Sequence, residues 1–446
     1  MNRRDALKFV GISVATTAVL GNEASLKNDL SNTNGVVPVA KLPKNGKGPR
    51  IVVIGGGWSG LSVAKRLKQY VPDADVVMVE QRTSFVSCPI SNLWLVGGVE
   101  LEFLSHSFLD AANNNGYTYF NASVYDIDRK KRTVYTNQGS VDYEYLVIAS
   151  GIDYDYSRWT KGDATLEYEL RTKYPAGFQN HGEHETIKGK IKNFKGGNFI
   201  LTVPGGNYRC LPAPYERACL IADYMKKNKI KGKVIVMDEN PEITIKAKGF
   251  HSAFSEMYKD YITYMPGTVI EEFDLKNKKV TTDFGDDISF SDAAFYPRVR
   301  GSKLLEIAGI AKDGINKGEA NIDQITYQVI GDDRVFCSGD LRPMTFSKSG
   351  NTANTEGHNV ARSIASRILG TKYIWESPHT RCYSVVALKP ARAIFVNTDY
   401  KWNDSDKTFT FFNAATMEDW RVKAGVDAGK ALIGWGSNLY QDMFYK

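Results

Sequence analysis

Apolar residues along this chain follow two rhythms. Ile51 to Ile54 is an unbroken apolar run of strand length, and Leu61, Ala64 and Leu67 follow on one face of a helix. Ala74-Asp75-Val76-Val77-Met78-Val79-Glu80 reads as a second buried strand. Gly197 to Val203, a helix over Pro214 to Lys227, and Lys233 to Asp238 repeat the strand–helix–strand order, with proline at the favoured first turn. Two further buried strands, Glu144 to Gly151 and Arg334 to Asp340, lie far apart in sequence and return to the first unit. Strands and helices alternating in this way build parallel sheets covered by helices. The pattern predicts an α/β fold with two Rossmann-like dinucleotide-binding domains and a C-terminal α+β domain.

Glycines punctuate the first unit. Gly55, Gly57 and Gly60 supply a tight turn, bare backbone against a pyrophosphate, and close helix–strand packing. Glu80 ends the next strand about 20 residues later, where an acid holds a ribose hydroxyl. A glycine triplet alone is a weak signal; strand, triplet, helix, strand and acid in order is a strong one. Gly339-Asp340 closes the late strand. An acid there can bond a ribityl chain, which FAD has and NAD lacks. Lys348, in the Lys348-Ser349-Gly350 loop beyond, is expected to bring positive charge to the anionic end of the reduced flavin. The expected FAD domain is discontinuous, 49–160 with 297–370. The second Rossmann-like domain spans 161–296, and the C-terminal interface domain 371–446.

The second unit is broken where a cofactor would sit. Its strand–helix loop reads Pro204-Gly205-Gly206-Asn207-Tyr208-Arg209-Cys210-Leu211-Pro212-Ala213-Pro214, without a Gly-x-Gly-x-x-Gly triplet. Prolines stiffen it and remove N–H donors, so a pyrophosphate finds a poor cradle. A cysteine stands there instead. The loop reads as a degenerate NAD(P)-type site rebuilt for thiol chemistry.

The 446 residues leave room for two to three domains. The net charge of +7 is scattered and not gathered into an arm, which argues against nucleic-acid binding. Residues 1–24 carry Arg3-Arg4, Lys8 and the short apolar run Phe9 to Leu20, the pattern of a twin-arginine export signal, with 25–48 as a linker. A periplasmic protein without an integral membrane segment after signal cleavage is expected. The five cysteines, Cys88, Cys210, Cys219, Cys337 and Cys382, form no Cys-x-x-Cys pair, and the histidines show no ligand spacing. No metal is expected, and no c-type haem is attached to this chain. Cys219, on an apolar helix face, and Cys337, inside a buried strand, read as small core residues.

The cysteine-centred segments resemble the flavoprotein subunit of flavocytochrome c sulfide dehydrogenase. The matching residues are Phe85-Val86-Ser87-Cys88-Pro89-Ile90-Ser91-Asn92, Tyr208 to Ala218, Gly339-Asp340 with Lys348-Ser349-Gly350, His379 to Ser384, and the aromatic tail from Trp435. The resemblance implies that Cys88 carries FAD through a covalent thioether. It implies that Cys210 and Cys382 form a redox-active disulfide beside the flavin, and that Glu216 is an acid near that pair. The leading expectation is an exported FAD enzyme that oxidises sulfide to sulfur or polysulfide and passes electrons to a c-type cytochrome subunit.

Two rivals stand beside it. A sulfide:quinone oxidoreductase needs a lipid-docking C-terminal helix pair, and Glu418 to Lys430 is only weakly amphipathic, with no long apolar face. An electron-transfer flavoprotein subunit without sulfide turnover is the reading from another class. Cys210 and Cys382 argue against it.

Overall fold

The computed structural model describes residues 40–179 and 181–446. The twin-arginine segment lies outside the described residues.

The first unit contains β1 (Arg50–Ile54), α1 (Trp58–Tyr70), β2 (Asp75–Glu80), β3 (Thr118–Asn121) and β4 (Tyr145–Ile148). The middle of the chain adds β5 (Gly197–Val203), α2 (Ala213–Lys227), β6 (Gly232–Asp238), β7 (Ile262–Pro266) and β8 (Asp292–Ala294). The chain then returns through β9 (Val335–Cys337) and α3 (Gly350–Leu369). It ends in β10 (Thr380–Leu388), β11 (Ala391–Asn403), β12 (Thr408–Met417) and α4 (Lys423–Phe444).

Two parallel sheets result. One runs β9-β4-β1-β2-β3, the other β7-β6-β5-β8. Central β1 and β2 are buried throughout, which explains their near-continuous apolar runs. The late strand reaches the first sheet as expected, with Cys337 paired to Ile148. It delivers Gly339-Asp340 beside the Gly55 turn. Helix α3 packs closely on α1: a Cβ on Gly357 would sit 2.7 Å from the Ser59 carbonyl oxygen. Cys219 and Cys337 are fully buried.

The C-terminal sheet β10-β11-β12 is antiparallel. Helix α4 is longer than its sequence pattern conveyed, because Gly425, Ala428, Leu432, Gly436, Tyr440 and Met443 all face inward. Its far end covers the first domain. Tyr440 meets His106 with ring centroids 4.5 Å apart, and Phe444 meets Phe85 at 5.2 Å. Among the described residues, no helix is long and apolar enough to cross a membrane.

Candidate active site

A cavity of about 470 Å3 runs from the β1–α1 turn past Glu80 to Gly339 and Asp340. Each glycine of the triplet has its own constraint. Gly55 adopts φ +102°, and a Cβ there would lie 2.6 Å from the Ala149 carbonyl oxygen. A Cβ on Gly60 would collide with the Gly55 carbonyl oxygen. A Cβ on Gly57 would meet nothing within 4 Å, since this residue opens onto the cavity where a pyrophosphate would approach. The buried Glu80 carboxylate accepts from Gly56 N at 2.8 Å and binds the Arg82 guanidinium. Hydrogen bonds and charge from Arg82 outweigh its burial and hold its pKa below the ordinary carboxylate value. Glu80 thus reaches the cavity already paired.

At the other end, Asp340 Oδ2 lies 3.3 Å from Arg209 Nε, while the buried Oδ1 has no partner. An orphaned acceptor facing this cavity fits the ribityl hydroxyls of FAD. Lys348 corrects the sequence expectation. Its buried ammonium donates to the Asp340 carbonyl at 2.7 Å and the Arg342 carbonyl at 3.1 Å, and pairs with Glu319 at 3.0 Å. With three donors spent on the protein, Lys348 braces the Asp340 loop and brings no free charge to a flavin. Its main chain serves the site as well, because its carbonyl accepts from Cys210 N at 2.7 Å.

A second cavity, about 40 Å3, adjoins the first. Cys88 lines both. Cys210, Cys382 and Glu216 line the smaller one, so three cysteines from three separate segments meet there. Cys88 lies in the loop after β2, Cys210 in the loop before α2, and Cys382 on β10. Two residues of these loops carry strain: Ile90 at φ 72° and Cys210 at φ 60° occupy the left-handed region without being glycine.

The Cys210 and Cys382 thiols lie close enough to perturb each other, and Cys382 Sγ donates to the Tyr383 carbonyl at 3.7 Å. The neighbouring Cys382 thiol and burial push Cys210 up. The Cys210 thiol, with the charge of Lys246, pulls Cys382 down against its burial. Burial likewise raises the Cys88 thiol, against the opposing charges of Arg209 and Arg217.

Glu216 sits at the start of α2, buried between these elements. Its Oε1 accepts from Val385 N at 2.7 Å and its Oε2 from Asn92 Nδ2 at 2.8 Å. Burial raises its pKa to about 7 despite both donors. A carboxyl with that pKa, beside two thiols, can exchange a proton near neutral pH.

Four neighbours carried no assigned role in the sequence reading. Asn92 links Glu216 to Arg217, whose Nε donates to its Oδ1 at 3.0 Å. Arg209 joins Asp340 to the Phe178 carbonyl. Lys246 donates to Ser384 Oγ and to the Cys382 carbonyl. Only the cysteine motifs around Asn92, Arg209 and Arg217 flagged the first three, and no local pattern marks Lys246.

The degenerate second nucleotide site is filled by the protein itself. Gly205 N donates to Glu239 Oε2 at 3.1 Å. Asp238 Oδ2 accepts from Tyr215 OH at 2.6 Å and Tyr264 OH at 2.9 Å. An acid lies where a pyrophosphate would need donors. Among the described residues, no group of side chains is arranged to hold a metal ion.

Residues 185–294 match the family described as sulfide dehydrogenase (flavocytochrome c) flavoprotein chain, central, and residues 49–184 match pyridine nucleotide-disulphide oxidoreductase. A mitochondrial sulfide:quinone oxidoreductase of Dictyostelium discoideum is 25% identical over 377 residues, covering 80% of this chain and 81% of that one. A sulfide dehydrogenase (flavocytochrome c) flavoprotein chain of Chlorobaculum thiosulfatiphilum is 51% identical over 43 residues, 10% of this chain and 90% of that short sequence. The solved sulfide:quinone oxidoreductase of Aquifex aeolicus shares the fold, with a TM-score of 0.69 at 17% identity over 89% of this chain and 91% of that one. The chain is an FAD-binding oxidoreductase and belongs to the sulfide:quinone-oxidoreductase-like flavoproteins, the group that includes the flavoprotein chain of flavocytochrome c sulfide dehydrogenase.

Proposed function

We propose that this protein is a sulfide dehydrogenase that draws electrons from hydrosulfide through Cys210 and Cys382 and delivers them to a c-type cytochrome. The meeting of Cys88, Cys210, Cys382 and Glu216 at one small cavity, opening onto the FAD cavity, carries the reading.

Hydrosulfide attacks a Cys210–Cys382 disulfide, forming one S–S bond and breaking another. One cysteine becomes a persulfide and the other a thiolate. A second hydrosulfide takes the outer sulfur and leaves the dithiol. Re-forming the disulfide releases two electrons. The balance is 2 HS− → HS2− + H+ + 2 electrons. Glu216 holds the proton taken from hydrogen sulfide. A bound FAD, held by the Gly55–Gly60 turn and Asp340, would supply a two-electron acceptor that can release electrons singly. Cys88, at the junction of the two cavities, holds FAD covalently through its sulfur. The polar, neighbour-filled loop at Gly205 leaves NADH without a site. Export by the twin-arginine route suits a protein that must load FAD before it leaves the cytoplasm.

A sulfide:quinone oxidoreductase is the second reading. It is favoured by the named relatives and by α4, which leaves Ile433 exposed along its outer face. One anaerobic experiment separates the readings. Sulfide should bleach the flavin spectrum, and the reduced protein should then reduce a c-type cytochrome faster than a short-chain quinone. The opposite order overturns the acceptor assignment, and a flavin untouched by sulfide overturns the enzyme. For the covalent link, acid precipitation should leave colour on wild type and release it from Cys88→Ser. Complete release from wild type overturns the link. Replacing Arg3 and Arg4 by lysine should strand the precursor in the cytoplasm, and unchanged periplasmic accumulation overturns export by this route.

A further inference from the structure

Lys246 is a buried cation with no carboxylate in direct contact. It is only 3% exposed, and among the described residues no Asp or Glu forms an ion pair with it. The backbone is bent to place it there: Lys246 lies at φ 58°, a left-handed conformation that a lysine adopts at some cost. Its ammonium donates to Ser384 Oγ at 2.7 Å and to the carbonyl of Cys382 at 3.2 Å. The charge is therefore pinned to both sides of residue 383, on the strand that carries Cys382. Burying an ammonium without a contact ion pair is expensive, and here its charge is felt by Glu216 and by Cys382. An anion that forms on Cys382 is stabilised by the same charge.

Several groups face the pair. Cys210 faces Cys382 from the loop before α2, Glu216 from α2 itself, and Lys246 from the loop after β6. Cys88 adds a thiol at the cavity junction, and Arg209, Arg217, Lys348 and Arg381 line the same cavity; Arg209 is engaged by Asp340, Lys348 by Glu319, and Arg217, whose charge reaches Cys210, by Asn92 and two carbonyls. Arg381 donates its Nε to Asn397 at 3.2 Å. Glu216 already accepts two hydrogen bonds and is drawn toward protonation by burial. Lys246 contacts the Cys382 residue and has no contact of this kind with Cys210.

We propose that Lys246 is a positioning residue that makes the cysteine pair asymmetric, holding the thiolate on Cys382 whenever the disulfide opens. This rests on the sulfide-oxidising reading above and adds a direction to it. Hydrosulfide then forms its bond to Cys210 Sγ, the Cys210–Cys382 bond breaks, and its electron pair stays on Cys382 Sγ. The persulfide is on Cys210. No further oxidant or reductant enters this step. Cys382 becomes the leaving group because its anion is stabilised, and a better leaving thiolate departs faster. Lys246 touches neither sulfide nor flavin.

The test reads the asymmetry directly. The holoenzyme is reduced anaerobically with a phosphine, treated briefly with substoichiometric iodoacetamide, and the labelled peptides are counted by mass spectrometry. Wild type should label Cys382 in preference to Cys210. Lys246→Met should lower the Cys382:Cys210 labelling ratio by about tenfold or more, the scale of one unit of thiol pKa. Lys246→Arg, which keeps the charge, should retain the preference. Ser384→Ala leaves the lysine in place and loosens its anchor, so it should lower the ratio by a smaller factor; it serves in place of Lys246→Met if that variant fails to fold. A ratio unchanged in a folded Lys246→Met or, failing that, in Ser384→Ala overturns the proposal. So does a wild-type preference for Cys210. The labelling uses no sulfide and no electron acceptor. Failure of the sulfide reading shows instead as a wild-type flavin that sulfide does not bleach.

Discussion

The carboxylate of Glu216 accepts the backbone N–H of Val385 at 2.7 Å, tying the helix that follows Cys210 to the strand that carries Cys382. The other carboxylate oxygen takes Asn92, in the segment that begins with Cys88. One buried acid thus fastens together the three elements that bear the three cysteines of the site.

That position makes Glu216 a source of pH dependence. Burial lifts its pKa from the ordinary 4.5 to about 7. Between these values the folded protein keeps a proton that the unfolded chain gives up. The associated stability is fully present below about pH 4.5 and is lost as pH rises through 7, on the order of 3 kcal/mol at 1.36 kcal/mol per unit. Melting curves across this range should flatten in Glu216→Gln relative to wild type. Glu356, which burial also raises to about 7, is common to both proteins and cancels in the difference. Sulfide-dependent flavin reduction should slow by about 10²-fold in the variant, the lower range for a lost general acid or base. Equal slopes in the two melting series would remove Glu216 from this role.

Cys210→Ser and Cys382→Ser should each abolish flavin reduction by sulfide while leaving FAD bound. A merely structural bridge behaves differently: its loss costs about 2–5 kcal/mol of stability but leaves chemistry in the surviving folded protein. Melting temperature and single-turnover reduction, measured on the same samples, tell them apart. Near-normal rates with a lowered melting temperature would refute the catalytic pair.

The glycine triplet should divide by function. Gly60→Ala forces a Cβ into the Gly55 carbonyl and should destabilise the protein by about 1–3 kcal/mol, the usual cost of overpacking. Gly57→Ala meets only open cavity, so stability without flavin should stay within about 0.5 kcal/mol. FAD retention on gel filtration should nevertheless fall. A Gly57→Ala protein that holds FAD as tightly as wild type would show that the pyrophosphate lies elsewhere.

NADH should not reduce the flavin in rapid mixing. Gly205 N already donates to Glu239, and Asp238 is held by two tyrosines, so the second Rossmann-like domain offers neither a phosphate cradle nor a free ribose acid. Reduction by NADH within the time of a catalytic turnover would show that this loop opens.

The sequence by itself determined the two parallel sheets, because central strands buried on both faces read as unbroken apolar runs whatever surrounds them. It also singled out the tight turn at Gly55 and the packed helix start at Gly60, since both demands are local. Cys210 was legible as an oddity in a loop that lacked donors, and its Cys382 partner came from a resemblance between whole motifs. Tertiary structure alone decided how the charges were spent. Lys348 and Lys246 are both lysines in polar segments, with nothing local to separate them. One is consumed by Glu319 and two carbonyls at the Asp340 loop, while the other is left beside Cys382 with no carboxylate in direct contact. The extent of α4 was also hidden. Its inward face mixes glycine and alanine with leucine and tyrosine, a stripe that becomes apolar only when β11 and the first domain close over it. Pairing between groups far apart in sequence follows from the packing of elements, and a linear pattern of side chains does not carry it.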